Sequence, residues 1–207
     1  MIKDLIVLVP DKNTKFLLNG FLPRYHSFGI KQISYDIFIH PERDPGVYHR
    51  AANFLLHFNG QYSYALVFLD REGSGQENKN ADQIALEIRS KLEQTGWQNR
   101  AGVIVFNPEL EIWAWVNSPH LATNLGWESY SSLVAFVQQQ GFWEQGLTKP
   151  TRPKEAIEAA LRKKRIQRSS AIYQKIAALV SFRNCQENSF LKFKNMLMAW
   201  FAKDVKN

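Results

Sequence analysis

Cysteine is almost absent from the sequence: Cys185 is the only one in 207 residues. A single thiol cannot form an internal disulfide and has no Cys partner for a zinc site, so we interpret Cys185 as an ordinary buried thiol. Long apolar runs are also missing. No stretch approaches the ~18 residues that cross a bilayer, and the first residues lack the pattern of a signal peptide. We therefore expect a cytoplasmic protein without a membrane partner.

Motifs of several enzyme classes are absent as well. The sequence has no P-loop, which excludes ATP hydrolysis of the Walker type, and no Gly-x-Ser-x-Gly nucleophile motif. The histidines at positions 26, 49, 57 and 120 lack metal-ligand spacing. With 45% hydrophobic and 13% aromatic residues, the chain nevertheless has the composition of a packed globular protein rather than a disordered one.

The apolar residues that are present fall into a pattern typical of an α/β protein. The sequence contains four strand-forming runs, at 5–10, 33–39, 65–69 and 102–106. Segments of helical periodicity separate these runs, at 14–22, 48–57 and 81–96. Alternation of strands and helices predicts a mainly parallel sheet flanked by helices, in which the four strands are neighbours.

Acidic residues follow three of the four predicted strands. They are Asp11, then Asp70 with Glu72, then Glu109 with Glu111. Because parallel strands present their carboxyl ends at one edge of the sheet, we expect these side chains to converge there. Two carboxylates 4 Å apart repel by about 4 kcal/mol at an effective dielectric near 20, so a positive charge should offset them.

Two sources of that positive charge remain open at this point. A Mg²⁺ or Mn²⁺ ion prefers carboxylate oxygens and is one solution. Basic side chains from the C-terminal part of the chain are the other. A plainer interpretation also stays open, in which Asp70 only caps a turn and Glu72 is solvated. In the proline-rich loop 40–46, His40, Glu42 and Asp44 are either further ligands or surface charges.

Charge is distributed unevenly along the chain. Residues 149–207 contain 14 Lys and Arg against 4 Asp and Glu, a net charge of +10, whereas the remainder holds 12 basic and 15 acidic residues. A basic tail beside an acidic centre favours a tail that holds a polyanion. Solvated helix faces or an acidic protein partner are the alternatives. The candidate nucleic-acid contacts are Lys154, Arg162, Lys163, Lys164, Arg165, Arg168 and Lys175.

The second half of the chain is predicted to be helical. A short helix at 131–140 precedes a basic helix from 154 to 165, and two further helices begin near 169 and 190. Trp113, Trp115, Trp127 and Trp143 surround the first of these, either as core residues or as platforms for stacked bases. We predict an α/β domain at 1–116, with a connector and a basic helical region at 117–207 packed on it.

These motifs together resemble a known family. An acidic residue after the first strand and the Asp-x-Glu-Gly sequence at 70–73 resemble the Toprim fold of topoisomerases, primases and OLD-family nucleases. The chain is more closely similar to small Toprim-like proteins of bacterial, methylation-associated anti-phage defence systems. The matching segments are 11–13, 36–46, 70–73, 108–113, 153–155, 168–173 and 189–192. Toprim enzymes usually carry Glu after the first strand and Asp-x-Asp in the second motif, whereas this chain has Asp11 and Asp70-x-Glu72.

The resemblance implies a Mg²⁺- or Mn²⁺-dependent nuclease that works within an antiviral defence complex. In that reading Asp70 and Glu72 hold the metal, Asp11 binds a second ion or positions water, and Glu109 or Glu111 completes the shell. The implied partners are DNA or RNA and other defence subunits, with an ATPase among the candidates. The altered acidic residues favour an alternative, a non-catalytic subunit that binds nucleic acid or a partner protein through the same fold.

Overall fold

The four predicted strands form one sheet in which every neighbouring pair is parallel. In the computed structural model, which describes residues 2–183 and 185–203, the strand order is β2-β1-β3-β4. The strands are β1 (Lys3–Val9), β2 (Tyr35–Ile39), β3 (Tyr62–Asp70) and β4 (Ala101–Phe106). The predicted α/β class, with a mainly parallel sheet flanked by helices, is confirmed, and the arrangement is consistent with a Toprim-like fold.

Helices connect the strands and form most of the second half of the chain. They are α1 (Lys12–Phe21), α2 (Tyr25–Phe28), α3 (Arg43–Leu56), α4 (Ala81–Leu92), α5 (Pro119–Asn124), α6 (Tyr130–Gln139), α7 (Pro153–Lys163), α8 (Ser170–Leu179) and α9 (Asn188–Phe201). A single 3-10 turn, Leu110–Trp113, follows β4. Within the described ranges, no helix is long and apolar enough to cross a membrane.

Strand register places the carboxyl ends of all four strands at one edge. Val9 lies beside Ile39 in the β1–β2 pair, and Asp70 lies beside Phe106 in the β3–β4 pair. Because every strand runs in the same direction, the segments that leave β1, β3 and β4 emerge together at their carboxyl ends. We call this the carboxyl edge: the residues that follow Val9, Ile39, Leu69 and Phe106.

The two faces of the sheet are covered differently. One face packs an aliphatic core against α3 and α4, and the other packs an aromatic core against α1 and the C-terminal helices. Phe68 of β3, for example, lies with its ring 5.6 Å from that of Phe193 in α9. The aromatic core therefore contains residues from both sides of position 116, and the predicted domain boundary stays a prediction.

Helix α8 lies directly on α1, which fixes the basic region relative to the carboxyl edge. A Cβ atom built on Gly20 would lie 2.5 Å from the carbonyl oxygen of Gln174 and 2.7 Å from the Cβ of Ala177. Such distances are too short for any side chain, so only glycine permits this close approach. The first turn of α1 and the start of α8 meet where the Ser170 hydroxyl donates to Asn13 Oδ1 at 2.7 Å.

The tryptophans predicted as either core or stacking platforms belong to the core. Trp113, Trp115 and Trp143 are buried, and Trp127 is half-buried against the same cluster. Each indole N–H donates to an acceptor within the protein. Cys185, expected as an ordinary buried thiol, is half-buried against the same core.

Candidate functional site

Asp70 is held at the carboxyl edge by hydrogen bonds from two other segments. Its backbone N–H donates to Asp44 Oδ1 at 2.7 Å, and its own Oδ1 accepts from the Leu110 N–H at 2.9 Å. The chain reaches this position because the apolar run of β3 ends at Asp70 and the turn after β4 passes beside it. Each bond fixes one carboxylate at the end of the sheet, that of Asp44 in the first case and that of Asp70 in the second.

The structure gathers four further carboxylates around Asp70. Burial raises the pKa of Asp70 well above its ordinary value, and neighbouring negative charges raise it further. In order of decreasing influence, these charges belong to Asp44, Glu111, Asp11 and Glu109. Carboxylates from the segments that follow β1, β2 and β4 therefore lie close enough to Asp70 to raise its pKa.

Asp44 belongs to this cluster although it follows β2 rather than one of the other three strands. The loop predicted at 40–46 is shorter than expected, because α3 already begins at Arg43 and includes Pro45 in its first turn. Burial raises the pKa of Asp44 to about 6, with Asp11 adding to the increase and the Asp70 N–H opposing it. Of the three loop residues considered from the sequence, Asp44 is thus the one that contacts Asp70.

Glu109 and Glu111 are buried, and each is paired with a cation from the C-terminal region. Glu109 is 5% exposed and lies with Oε2 3.5 Å from the Lys154 ammonium. Glu111 is 2% exposed, and its Oε1 accepts from Arg168 Nη2 at 2.9 Å and from the Tyr173 hydroxyl at 2.6 Å. Burial raises the pKa of Glu109 to about 7, with Glu111 adding to this and Lys154 opposing it.

Asp11 and Glu72 differ in how they are held. Asp11 caps α1, and its Oδ1 accepts from the Thr14 N–H and hydroxyl, both at 2.8 Å. Glu72 is exposed, and its negative charge acts on Glu109. Arg71 points into its own loop, where it donates to the carbonyl oxygens of Glu77 and Lys79.

A polar cleft of about 560 Å³ opens beside these carboxylates. It lies between the start of α1, the loop after β2 and the start of α7. Its lining combines one acidic residue with several cations and polar groups. The residues that line it are Pro10, Asp11, Lys12, Asn13, Ile39, His40, Pro41, Arg43, Lys154 and Arg168.

The seven basic residues predicted to bind nucleic acid divide into two groups. Lys154 and Arg168 lie at the carboxyl edge, in ion pairs with buried carboxylates. The other five are exposed: Arg162, Lys163, Lys164 and Arg165 at the end of α7, and Lys175 on α8. We call 162–165 the basic run. Within it, the Lys164 ammonium lies over the Trp127 ring, 4.6 Å from the centroid.

The donor set at the edge is of the kind that binds a divalent cation. Asp11 and Asp70 each use only Oδ1 for hydrogen bonding within the described part of the chain, which leaves Oδ2 for a ligand. Among the described residues, no group of three Asp, Glu, His or Cys side chains is arranged to hold a metal ion. Mg²⁺ keeps several water ligands and often uses only one or two carboxylates, so Asp70, Asp44 and Asp11 are the residues that could hold a hydrated ion.

Comparison of the chain with models of protein families, with curated proteins and with solved structures finds no match. The resemblance to Toprim proteins therefore remains an expectation carried by the sequence motifs.

Proposed function

We propose that the carboxyl edge is the active site of a Mg²⁺- or Mn²⁺-dependent nuclease that hydrolyses phosphodiester bonds in DNA or RNA. The observation that carries the proposal is the cluster of five carboxylates that Asp70 forms with four others, only two of which are paired with a basic side chain in the described residues. Such a concentration of negative charge is costly unless a cation compensates it. A phosphate-bearing substrate beside it would meet the cations of the cleft.

Within this proposal the side chains have distinct roles. Asp70, with Asp44 or Asp11, would hold the metal, which when bound stabilises the attacking and leaving oxygens of a phosphodiester. The Leu110 N–H and the Asp70 N–H fix the orientation of the Asp70 and Asp44 carboxylates. Lys12 and Arg43 line the cleft and are placed to bind the phosphate groups that flank the scissile bond.

The biological setting is part of the same proposal. Resemblance of the motifs to small Toprim-like defence proteins supports a component of a bacterial anti-phage system that works with other subunits, an ATPase among the candidates. The chain itself has no P-loop, so ATP hydrolysis of the Walker type would have to come from a partner. A cytoplasmic location agrees with such a system.

A second candidate function has a specific observation in its favour. Glu109 and Glu111, two of the predicted site residues, already have Lys154 and Arg168 as counter-ions. Internal cations of this kind favour a non-catalytic subunit that binds nucleic acid or a partner protein with a degenerate Toprim-like site.

The experiment that separates the two functions is a cleavage assay. Purified protein is incubated with plasmid and single-stranded DNA and RNA, with Mg²⁺, with Mn²⁺ or with EDTA. The nuclease proposal predicts cleavage that requires the metal and falls by about 10²-fold or more in Asp70→Asn, as expected for loss of a group that acts on the reacting centre. Circular dichroism and thermal unfolding of Asp70→Asn check that the variant keeps the fold. Substrate binding without cleavage in either metal would support the non-catalytic alternative.

A further inference from the structure

Lys154 and Arg168 both compensate buried carboxylates, but their contacts differ. Arg168 uses its whole guanidinium group: Nη2 donates to Glu111 and to Tyr173, Nε donates to Tyr173 and Nη1 donates to Glu158. The Lys154 ammonium has one contact within the described residues, at 3.5 Å to Glu109, and its side chain is 46% exposed. Arg168 is therefore fixed by several partners, whereas the Lys154 ammonium is held by a single ion pair and is open to solvent.

Glu109 does not depend on that ammonium for its position. The backbone N–H of Lys154 donates to Glu109 Oε1 at 3.2 Å, on the other oxygen of the same carboxylate. Because this bond comes from the backbone, it attaches Glu109 to the first turn of α7 independently of the position of the Lys154 side chain. If the ammonium left, Glu109 would keep its place and its Oε2 would lose its counter-ion.

The Lys154 ammonium also lies where a phosphate could attract it. Lys154 lines the cleft together with Lys12 and Arg43, both of which are exposed. Lys12 contacts the Phe16 ring, and neither Lys12 nor Arg43 forms an ion pair within the described ranges. The positive charge of Lys154 is felt by Asp44 and Asp70 as well as by Glu109, so one ammonium serves several carboxylates.

We propose that Lys154 is an exchangeable internal counter-ion, which leaves the carboxyl edge for a phosphate group in the cleft when a divalent cation takes its place. The proposal rests on the metal site of the proposed function. A phosphate in the cleft draws the ammonium away from Glu109 and so removes a positive charge that repels the metal. A bound metal, in turn, releases the ammonium for the phosphate. By linkage the two ligands raise each other's affinity by the same factor.

The experiment is calorimetric titration of the full chain with MgCl₂, in the absence and in the presence of inorganic phosphate. For the wild-type protein we expect phosphate to strengthen Mg²⁺ binding by about fivefold or more, the lower end of typical coupling between sites. Lys154→Met should bind Mg²⁺ more tightly than wild type without phosphate and should lose most of the phosphate effect. Lys154→Gln is a second variant that keeps a polar side chain and should behave in the same way.

Two controls make the result specific. Lys194→Met removes one positive charge from α9, which contributes no residue to the cleft, and it should titrate like wild type in both conditions. Asp70→Asn should lose Mg²⁺ binding. If Asp70→Asn loses binding but Lys154→Met retains the wild-type affinity and phosphate effect, the exchange is wrong and the metal site stands. If wild type binds no Mg²⁺, or Asp70→Asn binds it as well as wild type, both proposals fail.

Discussion

The carboxyl edge and the basic run use the same kind of residue for different purposes. Both draw their cations from the segment 149–207, which carries a net charge of +10. At the edge, Lys154 and Arg168 neutralise buried carboxylates, whereas residues 162–165 remain exposed at the end of α7. The net charge of a segment therefore does not predict what its cations bind. Their position relative to the buried acids of the sheet decides it.

The largest difference between the two regions should be in stability. Arg168→Met leaves the carboxylate of Glu111, which is 2% exposed, without its ion pair. Removing one partner of a buried pair typically costs about 3–5 kcal/mol of unfolding free energy. Arg162→Met, its control in the basic run, changes an exposed side chain and should cost within about 0.5 kcal/mol. Denaturant unfolding measures both, and equal losses would show that Arg168 is not a structural anchor.

For nucleic-acid binding, unlike for stability, changes in the basic run should have a larger effect than changes at the carboxyl edge. Changing Arg162, Lys163, Lys164 and Arg165 together to Ala removes up to four phosphate contacts. The log–log salt slope of binding to duplex DNA should then flatten by up to about 3.6, since each contact contributes about −0.9. The loss should be similar for all sequences, because such contacts position the backbone rather than read bases. Fluorescence anisotropy over a salt series measures it. Unchanged DNA binding together with loss of co-purifying subunits would assign the basic run to an acidic partner.

The sequence predicted the sheet better than it predicted the site. Four apolar runs were enough to place the strands and the edge where Asp11, Asp70, Glu109 and Glu111 meet. The start of α3 was missed because two prolines suggested a loop, although Pro45 is well tolerated in the first turn of a helix. The sequence Asp44-Pro45 was the available signal for a helix start here, because acidic residues and proline are both favoured in the first turn of a helix.

The ion pairs at the edge could not be predicted in the same way. Arg168 and Glu111 are 57 positions apart and meet only because α8 packs on α1. Sequence patterns report local periodicity and net charge, whereas this pair depends on how distant elements dock. The same limit explains why Lys154 and Arg168 were grouped with the exposed cations of the tail.

Stability should respond to pH through the carboxyl edge. The pKa of Asp44 is raised from 3.8 to about 6, and the pKa of Glu109 is raised from 4.5 to about 7. Each group stabilises the folded state fully when the pH is below its ordinary pKa. This contribution is lost as the pH rises through the raised pKa of the folded state. Without divalent cations, the unfolding free energy should fall by about 5 kcal/mol between pH 4.5 and 7.5, since each pKa unit corresponds to about 1.4 kcal/mol. The fall should be smaller in Asp44→Asn, and an equal fall in both proteins would remove Asp44 from the cluster.

The smallest effect concerns the backbone of the basic run. Arg165 follows α7 with φ of 56°, in the left-handed region that favours glycine. Arg165→Gly should therefore raise the unfolding free energy by about 1 kcal/mol, whereas Arg162→Gly, inside the helix, should lower it by a similar amount. Chemical denaturation of the two variants tests this, and a loss of stability in Arg165→Gly would mean that the arginine side chain contributes more than the backbone strain costs.

The most direct test of the account is the effect of Mg²⁺ on thermal unfolding at a pH above the raised pKa values of Asp44 and Glu109. A ligand that binds only the folded state at 100 times its dissociation constant adds about 2.7 kcal/mol of stability. We expect saturating Mg²⁺ to raise the Tm of the wild-type protein and of the Ala variant at Arg162, Lys163, Lys164 and Arg165 by the same amount, and to leave the Tm of Asp70→Asn unchanged. An equal increase in Asp70→Asn, or no increase in the wild-type protein, would contradict the assignment of the carboxyl edge as a divalent-cation site.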